Sequence, residues 1–554
     1  MTIERPNQPV VTPASVRPHG ALPRGLAMDT RSRLFEGRFG RLFRALPPAD
    51  FGASDAEAES LLETLARAMI HAVDCPKDGA DDEESGIPSV YTYLGQFVDH
   101  DITFDPASSL MRQNDPDALV DFRTPRLDLD SVYARGPDDQ PYLYHGGDDP
   151  RHLEKTLIEG RELHGAALGT AIHRSRDLPR AANGRAVIGD PRNDENVIVS
   201  QLQGLFLRFH NRYRAEHRSL SFEAVQQHVR FHYQWVVTTD FLRRVVSRAV
   251  LERVMPHVFG NGDRPSDVVD DPPVLRFYHP RDAAFMPLEF SAAAYRFGHS
   301  MVRPGYRLND AVGVLPIFAL TSSPDGCEPA PDTLRGFRAM NHAWAIDWAR
   351  FLDTAPRAAG LEDAPDEQKR QRLQLAYKID PSLVDPLANL DASVTGPDPG
   401  VFRSLAARNL VRGWRMRLPS GQTIARAMGV TPLADEEIRI GAASDDAGSL
   451  PSITQVVEAF AGNCPLWTYV LAEAARDFRA APESETVPTT TDGDLLVGTP
   501  KLGEVGGTIV AETFAGMMLQ DRHSFWNLDP RWRPTLVGGD ERFTLRELVR
   551  YALG

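Results

Sequence analysis

The feature that most restricts the fold is the spacing of apolar residues. In residues 196–217, NVIVSQLQGLFLRFHNRYRAEH, they recur three and four apart, and the same spacing runs through 56–73, 222–256, 332–353 and 453–477. That spacing gathers side chains on one face of an α-helix, whereas a half-buried strand needs alternation. Sustained alternation is scarce here, so the sequence predicts a mainly α fold with little β structure. Long segments rich in Pro, Gly and Asp lie between the helices, at 112–150, 258–285, 320–331, 380–400 and 480–508. Loops of that length usually wrap a surface or line a site. Residues 1–40 carry several prolines and no periodicity, which predicts an extended N-terminal arm; 41–554 reads as a single large helical domain, without internal repeats or a linker.

Charge and cysteine usage narrow the class. A net charge of -15 argues against nucleic acid as a partner, because Lys and Arg must replace the phosphate counterions. Cys75, Cys327 and Cys464 are too few and too scattered for a disulfide framework or a zinc site. The N-terminal MTIERPNQPVV lacks the apolar core of a secretory signal, and no stretch approaches the roughly 18 apolar residues of a membrane span. A cytoplasmic protein is the default expectation, with signal-less secretion left open.

Four segments carry chemistry. In GQFVDHDITF, 95–104, a Gln, two Asp and a His crowd among apolar residues; on a helix Gln96 and His100 are four apart, Gln96 and Asp99 three apart, and they share a face. By spacing alone this is either a hydrogen-bonded structural cluster or one wall of a site. In GDPRNDENVIVSQLQGLF, 189–206, Asp190 and Pro191 lead into a helix with Arg192 and Glu195 three apart near its start. Glu195 suits the positive end of a helix; Arg192 does not, and points to an anionic or charge-developing neighbour. YRFGHSMVRPGY, 295–306, holds Arg296 and His299 three apart, and RNLVRGWRM, 408–416, holds Asn409 and Arg412 three apart.

Taken in order, GQFVDHD, the Arg-x-x-Glu, YRFGH and Asn-x-x-Arg resemble the animal haem peroxidases, the peroxidase-cyclooxygenase superfamily of myeloperoxidase, lactoperoxidase and many bacterial relatives. The similarity covers about residues 90–420. It implies that 41–554 is a haem peroxidase domain that reduces hydrogen peroxide through Compound I and then oxidises a small organic reductant or a halide. His100 would be the distal base, Arg192 the stabiliser of charge on the departing oxygen, and Gln96 the holder of distal water and halide. His299 would be the proximal ligand to the iron of haem b on the opposite face, with Asn409 as its hydrogen-bond partner. Arg296 and Arg412 would lie near the propionates. Asp99 and Glu195 match the carboxylates that become ester-linked to haem in mammalian members, whereas Asn196 stands where myeloperoxidase has a sulfonium-forming Met. The resemblance also implies a calcium site made by Asp101, Thr124, the Arg126 carbonyl, Asp128 and Asp130; the family usually has Ser at the last position.

Three rival readings are weighed against this. Fatty-acid dioxygenases of the same superfamily place a radical-forming Tyr three residues before the proximal His, where this chain has Arg296; Tyr295 is one residue further away. A non-catalytic binding or adhesion protein on the same scaffold would not need His100 and Arg192 together. A non-haem metal centre on His228 and His232, four apart, lacks a third ligand at suitable spacing.

Overall fold

A computed structural model describes residues 37–71, 81–104, 120–121, 123–146, 155–163, 175–260, 268–281, 283–320, 330, 332–354, 372–390, 402–488, 494–536 and 542–554. Most of the expected N-terminal arm, residues 1–36, lies outside them. Its last four residues, Gly37–Gly40, form a strand that pairs with Val120–Asp121 and Met286–Pro287.

Helix dominates strand, 43% against 10%, so the fold is mainly α. Numbered in chain order, the described helices of eight residues or more are α1 Asp55–Ala68, α2 Val90–Ile102, α3 Val197–Glu216, α4 Phe222–Trp235, α5 Leu405–Arg415, α6 Gly421–Met428, α7 Leu466–Ala480, α8 Glu504–Gln520 and α9 Leu545–Leu553. One contiguous apolar core runs from Phe43 to Ala552.

α8 is the deepest element. Every residue from Val505 to Met518 is buried, as expected of a helix that is apolar on all sides. Its one internal carboxylate, Glu512, accepts the backbone N–H groups of Arg276, Phe277 and Tyr278 at 3.0, 2.7 and 3.0 Å, which offsets the cost of burying a charge. Glu473 of α7 accepts from Val505 and Gly506 and so satisfies orphan donors at the start of α8.

α2 and α3 carry one wall of the site. They pack through Phe97 stacked on Phe206, with centroids 4.7 Å apart, while Tyr233 of α4 meets both rings edge-on. Asn196 caps α3, its Oδ1 accepting from Ile198 and Val199.

Four local expectations change. The 453–477 periodicity breaks into a short helix, Ile453–Val456, a 3-10 turn, Glu458–Phe460, and α7, which begins only at Leu466 after Pro465. The 222–256 periodicity is interrupted: after α4 the chain adopts a π-helical turn, Val236–Phe241, in which Thr238 and Thr239 hydrogen-bond back to the carbonyls of Gln234 and Trp235. Such hydroxyl back-bonding competes with regular helix and re-aims the next residues, here Phe241. Residues 332–353 are not a helix. Their chain is pinned across the start of α3, with Val197 donating to Leu334 and Gly336 to Glu195, and only Trp348–Arg350 makes a short 3-10 turn. Tertiary hydrogen bonds override the 3.6-residue spacing there. The 480–508 segment contains an antiparallel hairpin, Glu483–Val487 with Leu495–Thr499, where a loop is expected. Among the described residues no helix is long and apolar enough to cross a membrane.

Candidate functional site

A cavity of about 300 Å³ opens where α2, the start of α3, the 3-10 turn Ala294–His299 and α5 converge. It is lined by Gln96, Asp99 and His100 from α2, Glu195 and Asn196 from the entry to α3, Tyr295, Arg296 and His299 from the turn, and Arg408 from α5. Phe241, Ile317, Phe318, Leu387, Leu390 and Leu405 complete an apolar wall. Residues 312 positions apart in sequence, Gln96 and Arg408, thus share one surface.

His100 is buried, and its Nδ1 lies 2.7 Å from Oδ1 of Asn193. Burial, followed by the nearby Arg192 charge, lowers its pKa to about 4, so the ring is neutral near pH 7. His299 is similarly lowered to about 3 by burial and then by Arg296, and its Nδ1 lies 2.7 Å from Nδ2 of Asn409 on α5. An amide turned by 180° presents its oxygen instead, accepts Nδ1–H and leaves Nε2 free as a metal ligand.

Gln96 sits in a clamp. Its Nε2 donates to Oε2 of Glu195 at 3.2 Å, and its Oε1 accepts from Asn196 at 2.9 Å. Burial raises the Glu195 pKa against the pull of Arg192, Arg296 and Arg408. Asp99, also on the cavity wall, accepts from Thr103 at 3.0 Å.

Arg192 is placed differently from the expectation. It does not line the cavity; its guanidinium donates to Asp190 and, at 2.8 Å, to the His100 carbonyl, and lies 4.6 Å over the Phe104 ring. Burial alone would raise the Asp190 pKa, but Arg192 and Arg123 outweigh it and hold the carboxyl well below its usual range. Arg412 is also absent from the lining, where Arg408 stands instead; burial and then repulsion from Arg412 lower the Arg408 pKa. Arg296 is anchored by Nε donating to the Ser291 carbonyl.

The calcium expectation meets a mixed result. Asp101 and Asp130 are both pushed up, Asp101 to about 7, by burial first and then by Asp128, because carboxyl groups crowd in this loop. The oxygens of Asp101 accept from the backbone N–H groups of Leu129 and Ser131, Thr124 donates to Asp128, and Arg126 is exposed. Among the described residues no three His, Cys, Asp or Glu side chains converge on a metal-sized point. His228 and His232 do not form one either: Nδ1 of His232 lies 2.7 Å from the His228 carbonyl inside an aromatic cluster.

The animal haem peroxidase family model matches residues 124–318, a span that contains Arg192, Glu195 and His299. That stretch, about a third of the chain, is similar to the animal haem peroxidase domain. Haem is the cofactor expected of that family, and His100 and Asn409, outside the matched span, reach the same region through the fold. Among solved structures the chain is similar to peroxidase A from Dictyostelium discoideum, at 13% identity and TM-score 0.49 over 91% of this chain and 92% of that one. It is also similar to fatty acid alpha-dioxygenases from Oryza sativa, at 14% identity and TM-score 0.47 over 92% and 78%, and from Arabidopsis thaliana, at 13% and 0.47 over 87% and 73%. A search of the curated proteins finds no match.

Sequence reasoning missed Asn193, Arg408 and the clamp formed by Asn196. Asn193 is buried three positions beyond Asp190, a spacing that one 3-10 turn brings to the same side, but nothing in the string marks it as a partner of His100.

Proposed function

We propose that this chain is a haem-dependent peroxidase that reduces hydrogen peroxide and oxidises a small organic molecule or a halide. The observation that carries the reading is a pair of histidines on one cavity, His100 and His299, each with Nδ1 engaged by an asparagine. The residues present fit a haem: His299 would hold the iron through Nε2, and Arg296 and Arg408 would meet its acidic edge. Bound there, haem supplies the electrons that cleave the O–O bond.

The chain's own part is proton management. His100 is neutral near pH 7, so its Nε2 takes the first proton of hydrogen peroxide and returns it to the departing oxygen. Gln96 spends one N–H on Glu195 and keeps the other for a water or halide. Arg192 works from behind, fixing the His100 backbone and disfavouring the imidazolium. In the loop expected to hold calcium the oxygen donors suit a hard cation, but Asp101 is turned onto the backbone of Leu129 and Ser131, and no step is assigned to the ion. Asp99 and Glu195 are both on the cavity wall, which is compatible with ester links to haem.

One observation favours the dioxygenase reading as a second possibility: the Tyr295 hydroxyl is buried, without a hydrogen-bond partner, on a cavity-lining residue. Against it, Arg296 occupies the position three residues before His299.

The test is an optical spectrum of the haem-supplemented protein before and after peroxide. A Soret band that changes on peroxide addition is expected; its absence sinks the assignment. His100→Ala should keep the band and slow the peroxide reaction by about a hundredfold or more. Acid-acetone extraction addresses the esters, which are excluded if all the haem leaves the protein.

A further inference from the structure

A base that works through Nε2 of an imidazole needs its proton on Nδ1, and the hydrogen bond at Nδ1 decides which nitrogen holds it. The partner of His100 is an amide, which can offer either its oxygen or its nitrogen. The choice is made elsewhere, at a group with only one possible role.

The Ser131 carbonyl can only accept. Gln203 on α3 turns its Nε2 to that carbonyl at 3.3 Å, so its Oε1 faces the other way. That oxygen takes Nδ2 of Asn193 at 2.7 Å, which turns Oδ1 of Asn193 toward His100. An amide oxygen cannot donate, so the proton across the 2.7 Å contact with His100 sits on Nδ1. Nε2 is thereby left as the acceptor on the cavity side. Ser131, Asn193 and Gln203 are all fully buried, so bulk water cannot replace any member of the chain or permit a flip.

The backbone is shaped to allow this. Gly189 passes so close to the loop that a Cβ there would come within 2.6 Å of the Ser131 carbonyl, so the absence of a side chain lets the two segments touch. From Gly189 the 3-10 turn Pro191–Asp194 delivers Arg192 to the carbonyl of His100 and Asn193 to its ring.

We propose that Asn193 is a positioning residue that holds His100 in its Nδ1–H tautomer, with Gln203 as the anchor that prevents the Asn193 amide from turning over. The inference rests on the reading of His100 as the peroxide base. It predicts an unusual substitution order. Asn193→Ala removes the acceptor, whereas Asn193→Asp installs a carboxylate that can only accept. A merely structural role makes a buried carboxylate worse than alanine; tautomer control makes it better.

The experiment measures the second-order rate of the peroxide reaction by stopped flow on haem-loaded wild type, H100A, N193A, N193D and Q203L, with haem content and Tm recorded for each. N193A is expected to lose about ten- to a hundredfold in rate at unchanged haem content, N193D to recover most of that loss, and Q203L to fall in between. If N193A does not load haem, N193D and Q203L carry the comparison: N193D faster than Q203L supports tautomer control, and N193D slower overturns it. An unchanged rate in N193A, or N193D as slow as N193A, also overturns it. If H100A itself reacts like wild type, the peroxidase reading fails instead, which separates the two failures.

Discussion

The Arg192 guanidinium donates to the backbone carbonyl of His100 at 2.8 Å while its Nε and Nη2 also donate to Asp190. An arginine expected beside the reacting oxygens therefore supports the proposed base from behind. Arg192→Gln leaves Asp190 buried with Arg123 as its remaining guanidinium and should cost about 1.5–3 kcal/mol. Asp190→Ala takes the shared carboxylate from two half-buried guanidiniums at once and should cost more, about 3–5 kcal/mol. Urea denaturation of both variants checks the order; equal stability would show that the clamp holds nothing in place.

Gly336 lies against the turn that presents Glu195. A Cβ there would fall 1.8 Å from the Asp194 carbonyl, and the backbone of 336 and 337 already donates to Glu195 and Asp194. Gly336→Ala must displace backbone rather than a flexible side chain, so a loss of more than about 3 kcal/mol is expected, with weaker haem retention. Thermal melts and haem titration of the variant provide the measurement.

Tyr295→Phe removes a buried hydroxyl that has no partner, so stability should change by less than about 1 kcal/mol in either direction. On the peroxidase reading the variant still oxidises a phenol with peroxide. Fatty-acid-dependent oxygen uptake that is present in wild type and lost in Tyr295→Phe would favour the dioxygenase reading instead.

Acid should unfold the region where α3, α4 and α9 meet. His210 and His232 are buried, and burial lowers their pKa values to about 3 and about 4 from the usual 6.5. The unfolded chain then binds more protons than the folded one between the two sets of values, so stability rises with pH in that window. The contribution is complete above about pH 6.5 and is lost progressively as the pH falls toward 4. Tm measured from pH 7.5 to 4.5 should drop, and the slope should flatten in a His210→Gln, His232→Gln double variant.

Much of the site was legible before any coordinates. His100, His299, Gln96, Asp99, Glu195 and Arg296 all line one cavity, and Asn409 does reach His299. Each belongs to a short string whose polar residues stand among apolar ones, and such residues need partners once buried. Arg192 and Arg412 were read from equally good strings, yet neither lines the cavity: the 3-10 turn sends Arg192 to Asp190 and the His100 carbonyl, and on α5 the lining position falls to Arg408, one turn before Arg412. The failed helix at 332–353 has the same origin: its apolar spacing is real, and Met340, Trp344, Ile346 and Trp348 are buried, but they reach the core from an extended segment pinned to α3.

Sequence by itself determined that this chain is mainly helical and which polar residues stand in short motifs, since periodicity and motif order are properties of the string. Only the tertiary structure decided which ends of those side chains face the cavity. The His100 tautomer is the clearest case, for it depends on a carbonyl at Ser131, an amide at Gln203 and a second amide at Asn193. Hydrogen-bond polarity passes through contacts in space, and no spacing along the chain encodes it.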